Sequence, residues 1–319
     1  MCTAVCYRSN ASYFGRNLDL ERGYGERVVI TPRNYVIPLR WEKPIRTHYA
    51  MIGMACVADD FPLYYEATNE KGLSMAGLHF PENAVYHPRA EGNDQNNITP
   101  FELIPWVLAQ CSSIHEVRAL LGKTNLVNTP FNRQLPLTPL HWMISDSSAS
   151  IAAEPMEEGL NLCSNPFEVL TNNPPFAFHQ TNVSHYMGLN TGPAASQFRE
   201  GIPVNNYSLG LGALGLPGDF SSASRFIRAL FVKENAVREQ NEAADVNQFF
   251  HILQSAAMPK GCVRADRGYA YTRYSSCCNA DRGIYYYTTY HQPAIRAISM
   301  HDVDLQQSHL YALDPIEGS

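Results

Sequence analysis

The second residue of the chain is a cysteine, in the opening MCTAVCY. Cysteine is small enough for an aminopeptidase to remove the methionine ahead of it, and the expectation is that Met1 is lost. Cys2 would then carry a thiol and a free α-amine on one residue. Their reference pKa values are about 8.5 and roughly 7.7–8.0, so a base stands beside the nucleophile at all times. This is the adjacent-base arrangement of an N-terminal threonine transferred to sulfur. The plainer alternative is the edge of a first strand, and a Met-Cys start alone does not decide between them.

Three other polar spots look out of place. GRNLD at 15–19 closes a second predicted strand that should lie beside the first. Arg16 near the sulfur would favour thiolate, and Asp19 could hold the α-ammonium. In a regular strand these side chains face opposite ways, so bringing both to Cys2 calls for a bend after Asn17. The alternative is an ion pair at a strand end. TNNPP at 171–175 follows the apolar run FEVL. It reads either as a turn or as Asn172 aiming its amide at a developing oxyanion. GLPGDFSSASR at 215–225 leads into a helix with Arg225 in its first turn. A cation there opposes the helix dipole, so a partner carboxylate or an active site must account for it.

The elements that hold these residues are legible in outline. Strands are expected at 2–8, 12–18, 27–32 and 49–57, with a hairpin through LYYEATNEKGLSMAGLHF around Asn69 to Gly72. Further strands are expected at 139–145, 149–154, 159–163, 167–171, 270–278, 283–290 and 294–300. Thr99, Pro100 and Glu102 predict a capped helix start before LIPWVLAQC, which Pro105 would shift or bend. Ser113 and Glu116 predict a capping box, with Gly122 as a stop. Helices are expected near 176–187, 222–235 and 243–257. Strands interleaved with helix pairs suggest two stacked antiparallel sheets with helices outside. No linker divides the chain, so one domain over 2–319 is expected.

Composition removes several functions. The chain has 319 residues, 45% of them hydrophobic, and a formal net charge of −6. Its basic residues form no long run, so there is no footprint for nucleic acid. No apolar stretch reaches about 18 residues, so no membrane span is expected. No export segment is visible, which predicts a cytoplasmic protein whose other cysteines are reduced and buried. Cys6, Cys56, Cys111, Cys163, Cys262, Cys277 and Cys278 show no zinc spacing, so no metal is expected. P-loop, GxSxG, HExxH and dinucleotide-binding patterns are absent.

Taken together, MCTAV, YFGRNLD, ITPRNY, NEKGLSMAGL, PLHWMISD, VLTNNP, GLPGDFSSASRFIRA, YSSCCN and GIYYYTTY resemble the choloylglycine hydrolase family. That family holds conjugated bile acid hydrolases and penicillin V acylases. The nearest resemblance is to its bile-salt-hydrolysing members from Gram-positive gut bacteria. The resemblance implies an α+β, four-layer αββα sandwich of the N-terminal nucleophile hydrolase type. It also implies amide hydrolysis through a Cys2 thioester, without cofactor, on conjugated bile acids, in a homotetramer. Carried over by motif, Cys2 is the nucleophile, supported by Arg16, Asp19, Asn172 and Arg225. Leu18, Phe61, Tyr65, Phe131 and Leu135 become candidates for the substrate wall. One position departs. AGLH ends in His79 where the bile salt hydrolases usually carry Asn and penicillin V acylases tend to carry Tyr, which bears on the oxyanion site and on substrate preference. An imidazole there would titrate near the reference value of about 6.5.

Overall fold

The computed structural model describes every residue except 93, 197, 240, 267 and 317–319. The first half runs β1 (Cys2–Arg8), β2 (Ser12–Leu20), β3 (Arg27–Thr31), β4 (Met51–Ala58), β5 (Phe61–Asn69), β6 (Ser74–His79) and β7 (Asn96–Ile98). Then come α1 (Leu103–Gln110), α2 (Ile114–Leu121), β8 (Thr124–Leu126), β9 (Leu140–Ser145), β10 (Ser150–Met156), β11 (Gly159–Ser164) and β12 (Val169–Leu170). The second half carries α3 (Phe176–Asn182), α4 (Ser222–Asn235), α5 (Glu242–Gln254) and the strands β13 (Val263–Ala265) and β14 (Gly268–Asn279). It closes with β15 (Ile284–Thr289), β16 (Arg296–Ser299) and β17 (Tyr311–Ala312).

Two antiparallel sheets form the middle layers. One has the order β12-β1-β2-β14-β15-β16, with β13 on β14; the other runs β11-β10-β9-β6-β5-β4-β3-β17. Helices α4 and α5 cover the outer face of the first sheet, and α1 packs on β5 and β6 of the second. The result is the expected αββα sandwich. Strand β1 explains why CTAVCYR lacks polar alternation. Its first six residues are buried on both faces, between the opposite sheet and the helices. Gly15 lets β2 lie close against β14, since a Cβ there would fall 1.9 Å from the Ser276 carbonyl oxygen.

Several boundaries differ from expectation for identifiable reasons. Helix α1 starts at Leu103 rather than near Pro100. Pro105 then falls in the first turn, where its missing N–H costs no intrahelical bond. Glu102 still accepts from the Thr99 N–H at 2.9 Å, but its other oxygen takes the Arg40 N–H, and the Thr99 hydroxyl caps nothing. At α2 the Ser113 hydroxyl caps Glu116, while the Glu116 carboxylate reaches back to Ser112 instead of Ser113. The short strands β7, β8, β13 and β17 have too few residues to show a pattern, and sequence reasoning missed them. Every cysteine is a free thiol, but Cys262 is exposed and Cys56 and Cys163 are half-buried, so burial is not general. No helix among the described residues is long and apolar enough to cross a membrane.

Candidate active site

Register decides what surrounds Cys2. In the β1–β2 pair Cys2 lies opposite Leu18 and Ala4 opposite Arg16. Cross-strand partners share a face, so Arg16 and Leu18 sit with Cys2 on the inter-sheet side. Asn17 and Asp19 turn to the helix side. The expected bend after Asn17 is absent: β2 runs without interruption from Ser12 to Leu20. Arg16 and Asp19 therefore flank the nucleophile from opposite faces, as plain alternation requires.

On the inter-sheet side Arg16 is fully buried. Its Nη1 donates to the carbonyls of Tyr65 at 3.0 Å and Gly77 at 2.5 Å. Burial works against its charge, but the neighbouring Cys2, Tyr274, Glu66 and Asp19 outweigh that and raise its pKa. Glu66, 3.8 Å from Arg16 Nε, was not foreseen. A β-bulge brings it there. Ala55 pairs with Tyr64 and Met54 with Glu66, leaving Tyr65 as the extra residue. Three hydroxyls donate to the Glu66 carboxylate, from Tyr274 at 2.7 Å, Ser276 at 3.0 Å and Tyr285 at 2.5 Å. Burial raises its pKa, while Arg16 and the hydroxyls oppose the rise. The only signal in the sequence was a lone acid within the apolar run LYYEAT.

On the helix side, Asn172 stands two residues beyond β12. Leu170 pairs with Ala4, and continuing that register two residues sets Asn172 opposite Cys2. The Cys2 N–H donates to Asn172 Oδ1 at 2.8 Å. Arg225 comes from the first turn of α4, which is capped by the Ser221 hydroxyl. Its Nη2 donates to the same Asn172 Oδ1 at 2.7 Å. Its Nη1 donates to the Cys2 carbonyl at 2.5 Å and to Thr3 Oγ1 at 2.7 Å. Asp19 Oδ2 lies 3.9 Å from Arg225 and has no hydrogen bond, while Oδ1 accepts from the Thr272 hydroxyl at 2.6 Å. Burial lowers the Arg225 pKa, with Asp19 and Cys2 pulling the other way. The dipole conflict noted in the sequence thus has its answer in Asp19 and in four oxygen acceptors, the fourth being the Phe220 carbonyl at 3.1 Å from Nε.

Cys2 in this chain still bears Met1. The Met1 ammonium donates to the Asp19 carbonyl at 2.7 Å, and the Asp19 N–H to the Met1 carbonyl at 3.0 Å. The Cys2 nitrogen is therefore a peptide amide, standing where an α-amine would be once Met1 is removed.

His79 ends β6 beyond its pairing with β5. Its carbonyl accepts one hydrogen of Asn172 Nδ2 at 2.7 Å, and the second amide hydrogen is left for another acceptor. Burial lowers the His79 pKa, and the positive N-terminus and His141 add to the effect. The ring is neutral at neutral pH, so any titration lies below the ordinary histidine range expected from the sequence. Of the proposed wall residues, Leu18 and Tyr65 pack in the core that contains Cys2. Phe61 and Phe131 belong to the other core, where they meet Phe101 at 5.8 and 5.1 Å between ring centroids. Leu135 is half-buried in a turn held by the Asn132 side chain at 2.9 Å.

The model of linear amide C–N hydrolases of the choloylglycine hydrolase family matches residues 2–313. The chain belongs to this family. A choloylglycine hydrolase family relative, the bile salt hydrolase/transferase of Lactiplantibacillus plantarum, is 48% identical over 311 residues, 97% of this chain and 95% of the relative. The crystal structure of a Clostridium perfringens conjugated bile acid hydrolase variant superposes with a TM-score of 0.91 at 36% identity, covering 98% of this chain and 97% of that one. Penicillin V acylase from Agrobacterium tumefaciens shares the fold, with a TM-score of 0.77 at 19% identity. The sandwich of this choloylglycine hydrolase family member is that of the N-terminal nucleophile hydrolases.

Proposed function

We propose that the protein is a bile salt hydrolase that cleaves the amide bond between a steroid acid and glycine or taurine, with Cys2 as nucleophile after loss of Met1. One observation carries the reading most strongly. The Cys2 N–H donates to Asn172 Oδ1, and the buried guanidinium of Arg225 donates both to that same oxygen and to the Cys2 carbonyl. That arrangement fixes an N-terminal residue in place and leaves its thiol to the inter-sheet side.

The freed α-amine accepts the thiol proton, and the sulfur attacks the amide carbonyl carbon. The oxyanion takes the spare hydrogen of Asn172 Nδ2 and a backbone N–H near His79; such a donor contributes typically about 3 kcal/mol. Collapse breaks the C–N bond, and the α-ammonium returns the proton to the departing amine. Water then adds to the thioester and releases the acid. An amine in place of water would transfer the acyl group, in keeping with the hydrolase/transferase name of the L. plantarum relative. Arg16 supplies fixed positive charge on the thiol side. Leu18 and Tyr65 offer the apolar wall nearest Cys2, and Phe61, Phe131 and Leu135 would line the outer part. No metal or organic cofactor enters these steps.

The same reading makes residues 2–319 one catalytic domain, cytoplasmic and homotetrameric. The segment from 187 to 214 supports assembly. Met187, Phe198, Tyr207, Leu209 and Leu214 are 69–100% exposed, an apolar surface that a further copy would cover. Penicillin V hydrolysis on the same machinery is the second reading.

The test incubates purified protein with glycocholate, taurocholate and penicillin V and measures released amine or side-chain acid. Active protein should lack Met1 by intact mass, and Cys2→Ser should fold but lose nearly all turnover, a hydroxyl being the weaker nucleophile. A higher kcat/KM for penicillin V than for either bile salt would transfer the assignment to the acylase reading. Retention of Met1 in active protein would end the α-amine mechanism.

A further inference from the structure

Behind Asn172 lies a buried polar cluster that the reaction as written does not use. His179, on α3, is fully buried and stacked on Phe226 at 4.8 Å between centroids and 14° between planes. Its Nε2 lies 3.0 Å from the Asn172 carbonyl oxygen. A carbonyl only accepts, so Nε2 carries the hydrogen. Nδ1 has no partner, which fits a neutral ring in a dry site. One residue earlier, His141 Nε2 sits 2.9 Å from the Thr171 carbonyl, with Nδ1 3.2 Å from Glu154. The Ser222 hydroxyl accepts the Asn172 N–H at 2.8 Å. The backbone of Asn172 is thus held at both its N–H and its C=O.

We infer that His179 is a positioning residue for amide hydrolysis, fixing the Asn172 peptide so that its side chain keeps one hydrogen for the oxyanion. The inference rests on the proposed role of Asn172. Asn172 Oδ1 already accepts from Cys2 and Arg225, and Nδ2 already donates to His79. The remaining hydrogen points correctly only while the backbone behind it is fixed, and errors near 1 Å in such settings cost about 100-fold in rate. Phe226 directly follows Arg225, so the His179–Phe226 stack also ties this peptide to the helix that carries the guanidinium.

The experiment is a double-variant cycle on Met1-free enzyme with glycocholate, using His179→Phe, His179→Gln and Asn172→Ala. His179→Phe keeps a ring against Phe226 but removes the donor. It should lower kcat roughly 10- to 100-fold with KM within about threefold, since the misplaced group acts on the transition state. His179→Gln, which retains an N–H donor, should recover most of that loss. In the Asn172→Ala background His179→Phe should change kcat by less than about twofold, because its effect passes through a side chain no longer present. Alkylation of Cys2 by iodoacetamide should proceed at the parental rate in the single His179 variants. If His179→Phe does not fold, His179→Met fills the space without a donor and is read by the same cycle. A parental kcat in the donorless variant, His179→Phe or His179→Met, or an equal loss with and without the Asn172 side chain, overturns the inference and leaves the function standing. An inactive wild-type chain overturns the function, and the inference with it.

Discussion

The two faces of the β1–β2 pair each hold one fully buried arginine near a buried acid, yet they are built differently. Between the sheets, Arg16 and Glu66 are 3.8 Å apart, and each bonds mainly to neutral groups: the carbonyls of Asn17, Tyr65 and Gly77 for the guanidinium, whose Nη2 is left without a partner, and three hydroxyls for the carboxylate. On the helix side, Arg225 spends its donors on Cys2, Thr3, Asn172 and the Phe220 carbonyl, and Asp19 keeps one oxygen without a hydrogen bond. The first is a charge set in a polar lining. The second is a joint between β1, Asn172 two residues beyond β12, and α4. A charge in a polar lining tolerates partial loss of its partners, whereas a joint does not.

The sharpest way to break this comparison is Arg225→Ala. It frees the Cys2 carbonyl and Asn172 Oδ1 together and leaves Asp19 buried without a counter-charge. Removing one partner of a buried pair typically costs about 3–5 kcal/mol, and a misdirected oxyanion donor a further ~100- to 1,000-fold in kcat. Denaturant unfolding and turnover of the folded fraction should show both losses. A variant that keeps parental stability and kcat would mean that the joint is not one.

Glu66→Gln should do less. Arg16 keeps its carbonyl acceptors on Asn17, Tyr65 and Gly77, so kcat should fall less than about tenfold. The pH dependence of stability carries a sign. Burial raises the Glu66 pKa in the folded state. For such a group the favourable contribution is complete below the unfolded value of about 4.3 and is lost as pH rises through the folded value. The Gln variant lacks that slope. Its unfolding free energy should gain on that of the parent from pH 4 toward 7. A constant difference over that range would show that burial does not raise the Glu66 pKa.

The smallest effect belongs to His79→Asn. Burial holds the ring neutral at neutral pH, and its carbonyl, which Asn172 uses, survives the substitution. Activity at pH 7 should change by less than about threefold. The sign again follows from the folded state: a depressed histidine pKa gives stability that is present above the unfolded value of about 6.5 and lost as pH falls through the folded value. His79→Asn should flatten the wild-type loss on the acid side and leave the profile above pH 6.5 unchanged. A tenfold change at neutral pH would show that the side chain, not the backbone, serves the site.

Much of this site was legible because its residues break local rules. A cation in the first turn of a helix and polar asparagines after a buried strand each conflict with their surroundings, and such conflicts mark sites whose reasons lie elsewhere. Glu66 broke the same kind of rule in LYYEAT. It passed unnoticed because its reason, the hydroxyls of Tyr274, Ser276 and Tyr285, lies more than two hundred residues away. His141 and His179 gave no signal at all, since a histidine in an apolar run looks like ordinary core.

The sequence by itself determined the family, the order of the longer strands and helices, and most of the residue types gathered around Cys2, because apolar runs, caps and turn residues act over a few positions. Only the tertiary structure decided which face each side chain takes. Alternation along β2 sends Arg16 and Asp19 apart, but whether a bend would override it depends on β14 and β1 pairing with both edges of that strand. The β5 bulge, the register that sets Asn172 opposite Cys2, and the reach of Arg225 across 223 residues to the Cys2 carbonyl have the same origin. Each is fixed by hydrogen bonds and packing between segments distant in the chain, and a linear pattern carries no record of those distances.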